Sequence, residues 1–353
     1  MELSVLQMTL LSLLILVVLF LPLTVHKVEE NLEAFLFCCG VFAVTVSKMW
    51  SGHLIITALE DPIKITVAVL VAGLLFRQFN KSLQKLTQKA VSFLGLRFTL
   101  FLIVFLLGMT SSLITAIIAA LILSEIVLML PLSKDGRIRL VVFSCFSIGM
   151  GAVLTSIGEP LGTVVLSKLS GEPHNADFWF LIDHLGWYIL GGVLFMSLLA
   201  SAIRADTIKN APGVKEAPAG TEEHSVKSIV IRAAKVYLFV MALVFLGDGL
   251  KPFAMQTISH LSANWLYWIN TLSAVLDNAT LAAIEVTPDV STRTLTFLLM
   301  SLIVSGGMLI PGNIPNIICA SKLGIKSKEW AKHAVGLGFV MLIAYFIILL
   351  AVL

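Results

Sequence analysis

Apolar runs separated by short polar connections fill the chain from end to end. They fall at about 3–24, 32–50, 62–76, 98–131, 140–167, 185–203, 236–250, 265–287, 294–320 and 334–352. The runs are continuous rather than alternating. Most have the roughly 17–25 residues that an α-helix needs to cross a hydrocarbon core of ~30 Å. A membrane β-barrel would instead show segments of about ten alternating residues. The pattern predicts an all-α polytopic membrane protein.

The connections give the helices a direction. The stretch 77–97 carries Arg77, Lys81, Lys85, Lys89 and Arg97 and no acid. The stretch 132–139 has Lys134, Arg137 and Arg139 against Asp135, and 204–235 and 321–333 are also rich in lysine and arginine. The positive-inside rule puts all four loops on the cytoplasmic side of a cell membrane. The stretch 168–184 sets Glu172, Asp177 and Asp183 against Lys168 and reads as external. With 77–97 and 132–139 on one side, 98–131 must enter and leave by the same face. Its arms, about 10 and 19 residues around Gly108–Ser112, are short for two full spans, so it reads as a re-entrant hairpin. The same reasoning makes 265–287 a hairpin entering from the opposite face.

Polar residues interrupt the apolar runs at matching places. Gly108-Met109-Thr110-Ser111-Ser112 is followed by Thr155-Ser156-Ile157-Gly158-Glu159-Pro160. Later, the stretch from Asn270 to Thr280 is followed by Pro311-Gly312-Asn313-Ile314-Pro315-Asn316. Each pair is a polar tip and then an apolar helix broken by Gly and Pro. Such breaks in corresponding halves are the sequence signature of a transporter binding site, because unwound backbone at membrane depth must be buried in protein or line a cavity. The expected organisation is residues 1–61 as N-terminal scaffold helices and 62–203 as a first repeat, with hairpin 98–131 and broken helix 140–167. A cytoplasmic linker, 204–235, leads to a second, inverted repeat at 236–353, with hairpin 265–287 and broken helix 294–320.

Composition agrees. Of 353 residues, 58% are hydrophobic and 13% charged, with mean hydropathy +0.99, against about 45–50% and 25% in ordinary globular chains. Leu3 to Leu23 lacks a basic start and a small-residue cleavage site, so it reads as a retained helix. Cys38, Cys39, Cys145 and Cys319 lie in apolar stretches and look like small core residues. No histidine pair has zinc-ligand spacing with an acid, there is no Walker lysine, and Gly149-Met150-Gly151 has no βαβ context. An enzyme, an ATP-driven pump and a nucleic-acid partner are therefore unsupported, and no cofactor is implied beyond a transported or coupling sodium ion.

Candidate chemistry concentrates at the interruptions. A carboxylate at membrane depth is costly and marks a pathway or proton relay, which singles out Asp277 and Glu159. Asn278, Thr280 and Ser273 add the oxygen donors that hard cations prefer. Thr155, Ser111, Ser112 and Thr115 supply hydroxyls, Gly158 and Gly312 permit unusual turns, and Asn313 and Asn316 flank Pro315. Asp277, Asn278 and Glu159 are the expected sodium ligands. Helix capping for Asp277 and a structural salt bridge for Glu159 are the competing readings. Aligning Pro160 with Pro315 sets Glu159 opposite Ile314, and aligning Thr115 with Thr280 sets Ser112 opposite Asp277. Each half thus offers one acid, and the two would meet if the broken units converge. Glu125 and Asp248 are further intramembrane candidates, whereas Glu285 reads as lying near the external mouth.

These motifs resemble the ion transporter superfamily, which includes NhaD-type sodium/proton antiporters, arsenite permeases and divalent-anion/sodium symporters. Leu276-Asp277-Asn278-Ala279-Thr280 resembles the D-N-x-T tip, and the stretch from Gly306 to Asn316 resembles the Gly-rich break ending in P-N. The likeness spans roughly 97–340 and is nearest to a prokaryotic family of predicted cation transporters. It implies two opposed hairpins in a mobile domain, a scaffold, a homodimer in the lipid bilayer and an elevator mechanism carrying a small inorganic ion. The symporter branch carries S-N-T at both tips, and this chain does not, which weakens a dicarboxylate substrate. Sodium/proton antiport is the leading expectation, and a sodium-coupled symporter of a small anion or carboxylate is the alternative.

Overall fold

The structure is a computed structural model and describes residues 3–25, 27–28, 31–204, 226–258, 262–275 and 278–353. Most of the 204–235 linker and Asp277 itself lie outside the described residues. Every regular element among them is helical. Five helical stretches are long and apolar enough to cross a membrane: Val5–Thr24, Lys85–Ile114, Phe180–Ser201, Ile229–Thr257 and Ser327–Val352. Large side chains such as Leu13, Phe20, Leu106, Leu198, Val340 and Ile347 point outward. Such surface fits lipid and would be a liability in water.

Helix α1 (Val5–Thr24) starts with a capping box: Ser4 Oγ accepts the Gln7 amide at 3.3 Å and Gln7 Oε1 accepts the Ser4 amide at 2.9 Å. It packs on α2 (Leu32–Ser47), which ends with Lys48 in the left-handed region at φ 57°. Helix α3 (Gly52–Ile114) is longer than the charge pattern suggests. The basic stretch 77–97, expected as a loop, is helical, and the bend comes at Gly95 with φ 76°. No glycine or proline interrupts 77–94, and Lys85 and Lys89, four residues apart, share one helix face instead of ending the helix.

The first turn also differs from expectation. Gly108–Ser112 stays helical, and within it the Thr110, Ser111 and Ser112 hydroxyls donate to Leu106, Gly108 and Met109 carbonyls at 2.6, 2.6 and 3.0 Å. Hydroxyls that bond back in this way fit inside a helix. The helix breaks at Thr115, φ 74° and ψ 148°, and α4 (Ala116–Met129) follows. Met129 Sδ ends 4.0 Å from Thr87 Oγ1, so α4 has returned along α3.

Helix α5 (Lys134–Ala152) leads into an irregular stretch, then α6 (Pro160–Lys168) and α7 (Phe180–Ser201). In the second part, α8 (Val226–Ile258) precedes α9 (Ala263–Ile269), a 3₁₀ turn at Asn270–Ala274 and α10 (Asn278–Glu285). Helix α11 (Thr292–Gly306), a 3₁₀ turn at Ile310–Gly312 and α12 (Ile314–Leu323) form a second broken helix, and α13 (Ser327–Val352) ends the chain.

The packing is reciprocal. The half-helix α6 lies against α10, and the half-helix α12 lies against α4. The leading halves α5 and α11 also touch, with Gly307 seated on the Phe146 ring. Helices α3 and α5 approach closely at Gly108 and Gly151. A Cβ on Gly151 would fall 1.7 Å from the Gly108 carbonyl oxygen, the kind of small-residue contact that lets membrane helices meet. Helices α2 and α8 pack along one another.

Candidate ion site

The first break is tied to the first turn through backbone groups. Thr155 Oγ1 donates to the Ser112 carbonyl at 2.5 Å, and the Ala116 amide donates to the Gly158 carbonyl at 2.9 Å. Ser111 Oγ reaches across to the Ile148 carbonyl at 3.0 Å. Gly158 is required here, since a Cβ would lie 2.0 Å from the Ala152 oxygen. Thr115 caps α4 by accepting the Ile118 amide at 3.3 Å. Glu159 caps α6 in extended backbone, is 6% exposed, and its side chain makes no bond to the α6 amides. Ser111, Ser112, Thr115, Thr155, Gly158 and Glu159 therefore do come together, but the hydroxyls are committed to holding backbone.

The second break is organised differently. Asn316 is fully buried and donates through Nδ2 to the Gly306 and Leu309 carbonyls, at 2.8 and 2.9 Å. One side chain thus satisfies two carbonyls that the interrupted helix leaves open. Trp330 Nε1 takes a third, Gly307, at 3.2 Å. Gly312 packs so tightly that a Cβ would lie 2.6 Å from the Gly306 oxygen and 3.0 Å from the Ser273 oxygen. Ser273 Oγ itself donates to the Leu302 carbonyl at 3.4 Å. Asn278 Nδ2 is 3.6 Å from the Cβ position at Gly306. Ser273, Asn278, Gly306, Gly312 and Asn316 are thereby one cluster. Thr280 stands apart, against Gly247 of α8.

Three polar atoms in and beside this cluster are buried without a partner: Asn316 Oδ1, Asn278 Nδ2 and Ser305 Oγ. Buried polar groups are normally paired, so these three are exceptions. The orientation of the Asn316 amide follows from its two donated bonds, which leaves Oδ1 as an acceptor. Asn313 links the halves. Its Oδ1 accepts the Ile314 amide at 2.8 Å, and its Nδ2 lies 2.7 Å from the Cβ position at Gly149 in α5. Asp277, expected as the central ligand, lies outside the described residues, and so does its separation from Glu159. The helices that begin beside these two acids, α10 and α6, are packed together.

Some residues were not singled out from sequence. Ser305 and Ser301 lie one helical turn apart on α11 and are fully buried; hydroxyls at that spacing in an apolar run are a usable signal. Asn270 bonds Glu285 of α10 and Ser301 of α11. Glu125 forms a buried ion pair with Lys322, a residue read only as part of a basic loop. Beside α12, which touches α8, an open groove is lined by Glu33, Lys235, Phe239, Ile317 and Lys326. Glu33 and Lys235 pair within it at 2.8 Å.

The family described as "Protein of unknown function (DUF1646)" matches residues 8–352. The chain belongs to that family. The match takes in all the helices from α2 to α13 and both interrupted helices, so the site described above is part of the family's own domain. No curated protein matches the chain.

Proposed function

We propose that this member of the family is a secondary transporter of a small inorganic cation, working by sodium/proton antiport. The observation that carries the reading is the reciprocal packing of the half-helices, α6 on α10 and α12 on α4, around buried polar atoms that lack partners. An inverted repeat with two opposed re-entrant hairpins accounts for that exchange of partners, since each half then closes the other's binding element. In this reading Asp277 and Glu159 hold the cation or a proton in turn, and Asn278 and Asn316 supply neutral ligands. The carbonyls of both breaks complete the shell, and the basic stretches face the cytoplasm. The groove between α12 and the α2–α8 pair suits an elevator, in which the hairpin domain slides against a scaffold held in a homodimer.

A sodium-coupled anion symporter is the second reading. One observation favours it: Asn278 Nδ2 is a buried donor without an acceptor, which an anion would satisfy and a cation would not.

The test is flux. Purified protein is reconstituted into proteoliposomes containing a pH dye, and sodium, lithium, potassium or a carboxylate salt is added outside. Antiport predicts a sodium-driven pH change that Asp277→Asn and Glu159→Gln remove. Carboxylate-dependent sodium entry without a pH change would favour the symporter. Wild-type vesicles indifferent to all four salts would refute both.

A further inference from the structure

We infer that Asn270, Glu285 and Ser301 form a second cation site, away from the hairpin tip, that holds a proton or a sodium ion in competition. Asn270 opens the 3₁₀ turn after α9, Glu285 closes α10, and Ser301 lies within α11. Asn270 and Ser301 are fully buried. Asn270 Nδ2 donates to Glu285 Oε2 at 3.0 Å and to Ser301 Oγ at 3.1 Å, and Ser301 Oγ donates onward to the Leu298 carbonyl at 2.8 Å. Both amide hydrogens and the hydroxyl hydrogen are therefore used.

What remains is chemically one-sided. Glu285 Oε1 and Asn270 Oδ1 are buried and have no partner. Both are acceptors. Turning the Asn270 amide round would not help, because it would set Oδ1 against Glu285 Oε2 and against a hydroxyl already committed to Leu298. A proton on Glu285 or a cation among the oxygens supplies what the network lacks. Carboxylate, amide and hydroxyl oxygens are the donors of a hard cation, and the single carboxylate suits a monovalent one. A largely buried carboxylate with one oxygen unpartnered and no balancing charge is costly.

No lysine, arginine or histidine among the described residues pairs with Glu285; the nearest charges on the surrounding elements have other surroundings. Helix α6 carries Glu159 and Lys168 at its two ends. Helix α8 brings Asp248 and Lys251 near the level where Gly247 meets Thr280. Arg293 of α11 lies over the Phe297 ring at 5.5 Å, and Asp289 lies in the connection before α11. The exchange balances simply. Sodium binds, the carboxyl O–H bond breaks, and the proton leaves to solvent.

Only the role in coupling rests on the transport reading; binding can be measured without flux. Full-length protein in detergent and weak buffer receives sodium chloride, with choline chloride as the ionic-strength control, and released protons are read with a pH dye. The Asp277→Asn/Glu159→Gln variant, which lacks the tip acids, is expected to keep releasing protons on sodium addition. Adding Glu285→Gln should abolish that release. Gln preserves shape and its amide oxygen can still accept from Asn270 Nδ2, so the melting temperature without sodium should not fall. Should the triple variant fail to fold, Glu285→Gln alone is compared with wild type, and loss of part of the release is expected. Release unchanged by Glu285→Gln, or absent from the tip-acid variant while present in wild type, would overturn the site. Release through Glu285 with no flux in vesicles would keep this site and remove the transport reading.

Discussion

Glu125 of α4 and Lys322 of α12 form an ion pair buried in the protein, with side-chain exposures of 2% and 11%. They are 197 residues apart in sequence, so the pair fastens the return arm of the first hairpin to the half-helix that follows the second break. Breaking a buried pair from one side strands a charge and costs about 3–5 kcal/mol, whereas replacing both partners by apolar groups is often neutral. Glu125→Leu should therefore lower the melting temperature in detergent sharply, and Lys322→Met should do so comparably. The double variant should recover most of the loss. Additive losses in the double variant would mean that the two side chains do not act as a pair.

Thr115 is a β-branched residue at φ 74°, a backbone region that glycine enters freely and threonine does not. Conformations of this kind cost about 1–3 kcal/mol. Two bonds offset the strain: Thr115 Oγ1 accepts the Ile118 amide, and the next amide, Ala116, donates to Gly158 across the break. Two substitutions separate these effects. Thr115→Ala loses the cap and keeps the strain, while Thr115→Gly loses both. Thr115→Gly should thus melt higher than Thr115→Ala, by the equivalent of about 1 kcal/mol or more. Equal melting temperatures would show that the turn carries no strain.

How far the sequence could be read follows from where each signal resides. The breaks at 153–159 and 307–313 were legible, because Gly158, Pro160, Gly312 and Pro315 act on their own backbone and announce themselves locally. The turn at Thr115 was not, because nothing local marks a threonine for positive φ; the bond from Ala116 to Gly158, far along the chain, helps to hold it there. Charge located 77–97 but could not tell a basic helix face from a loop. The Glu125–Lys322 pair was invisible for a related reason, since it depends on α4 and α12 meeting. Glu285 was read as lying near the external mouth; that Asn270 donates to its Oε2 while also holding Ser301 depends on three elements meeting.

Sidedness can be measured independently of transport. Cys39, Cys145 and Cys319 are buried and Cys38 is exposed, so a background lacking Cys38 should react weakly with a membrane-impermeant maleimide. Cysteines are then placed at Lys85, on the basic face of α3, and at Asn175, in the acidic connection before α7. The positive-inside rule predicts that position 175 is labelled from outside intact cells and that position 85 is labelled only after permeabilisation. The reverse pattern would invert the whole chain. Labelling of both from outside would put an even number of crossings between them and remove the basis for an inverted repeat.

Asn316 tests the site more sharply than any acid, because its two ends do different things. Through Nδ2 it satisfies the Gly306 and Leu309 carbonyls, and through Oδ1 it offers a buried acceptor with nothing attached. Asn316→Ala removes both roles. It should lower the melting temperature by the equivalent of about 1–3 kcal/mol, the range for stranding buried polar groups, and should also abolish any stabilisation by sodium. Asn316→Asp reverses the electrostatics, setting a carboxylate against the two carbonyls it must leave unpaired. In choline chloride it should be at least as unstable as Asn316→Ala, but a bound cation would neutralise the added charge. Sodium should therefore raise its melting temperature by more than it raises that of wild type. If sodium protects Asn316→Ala as well as it protects wild type, Oδ1 is not a ligand, and the polar cluster at the second break serves only to hold the interrupted helix together.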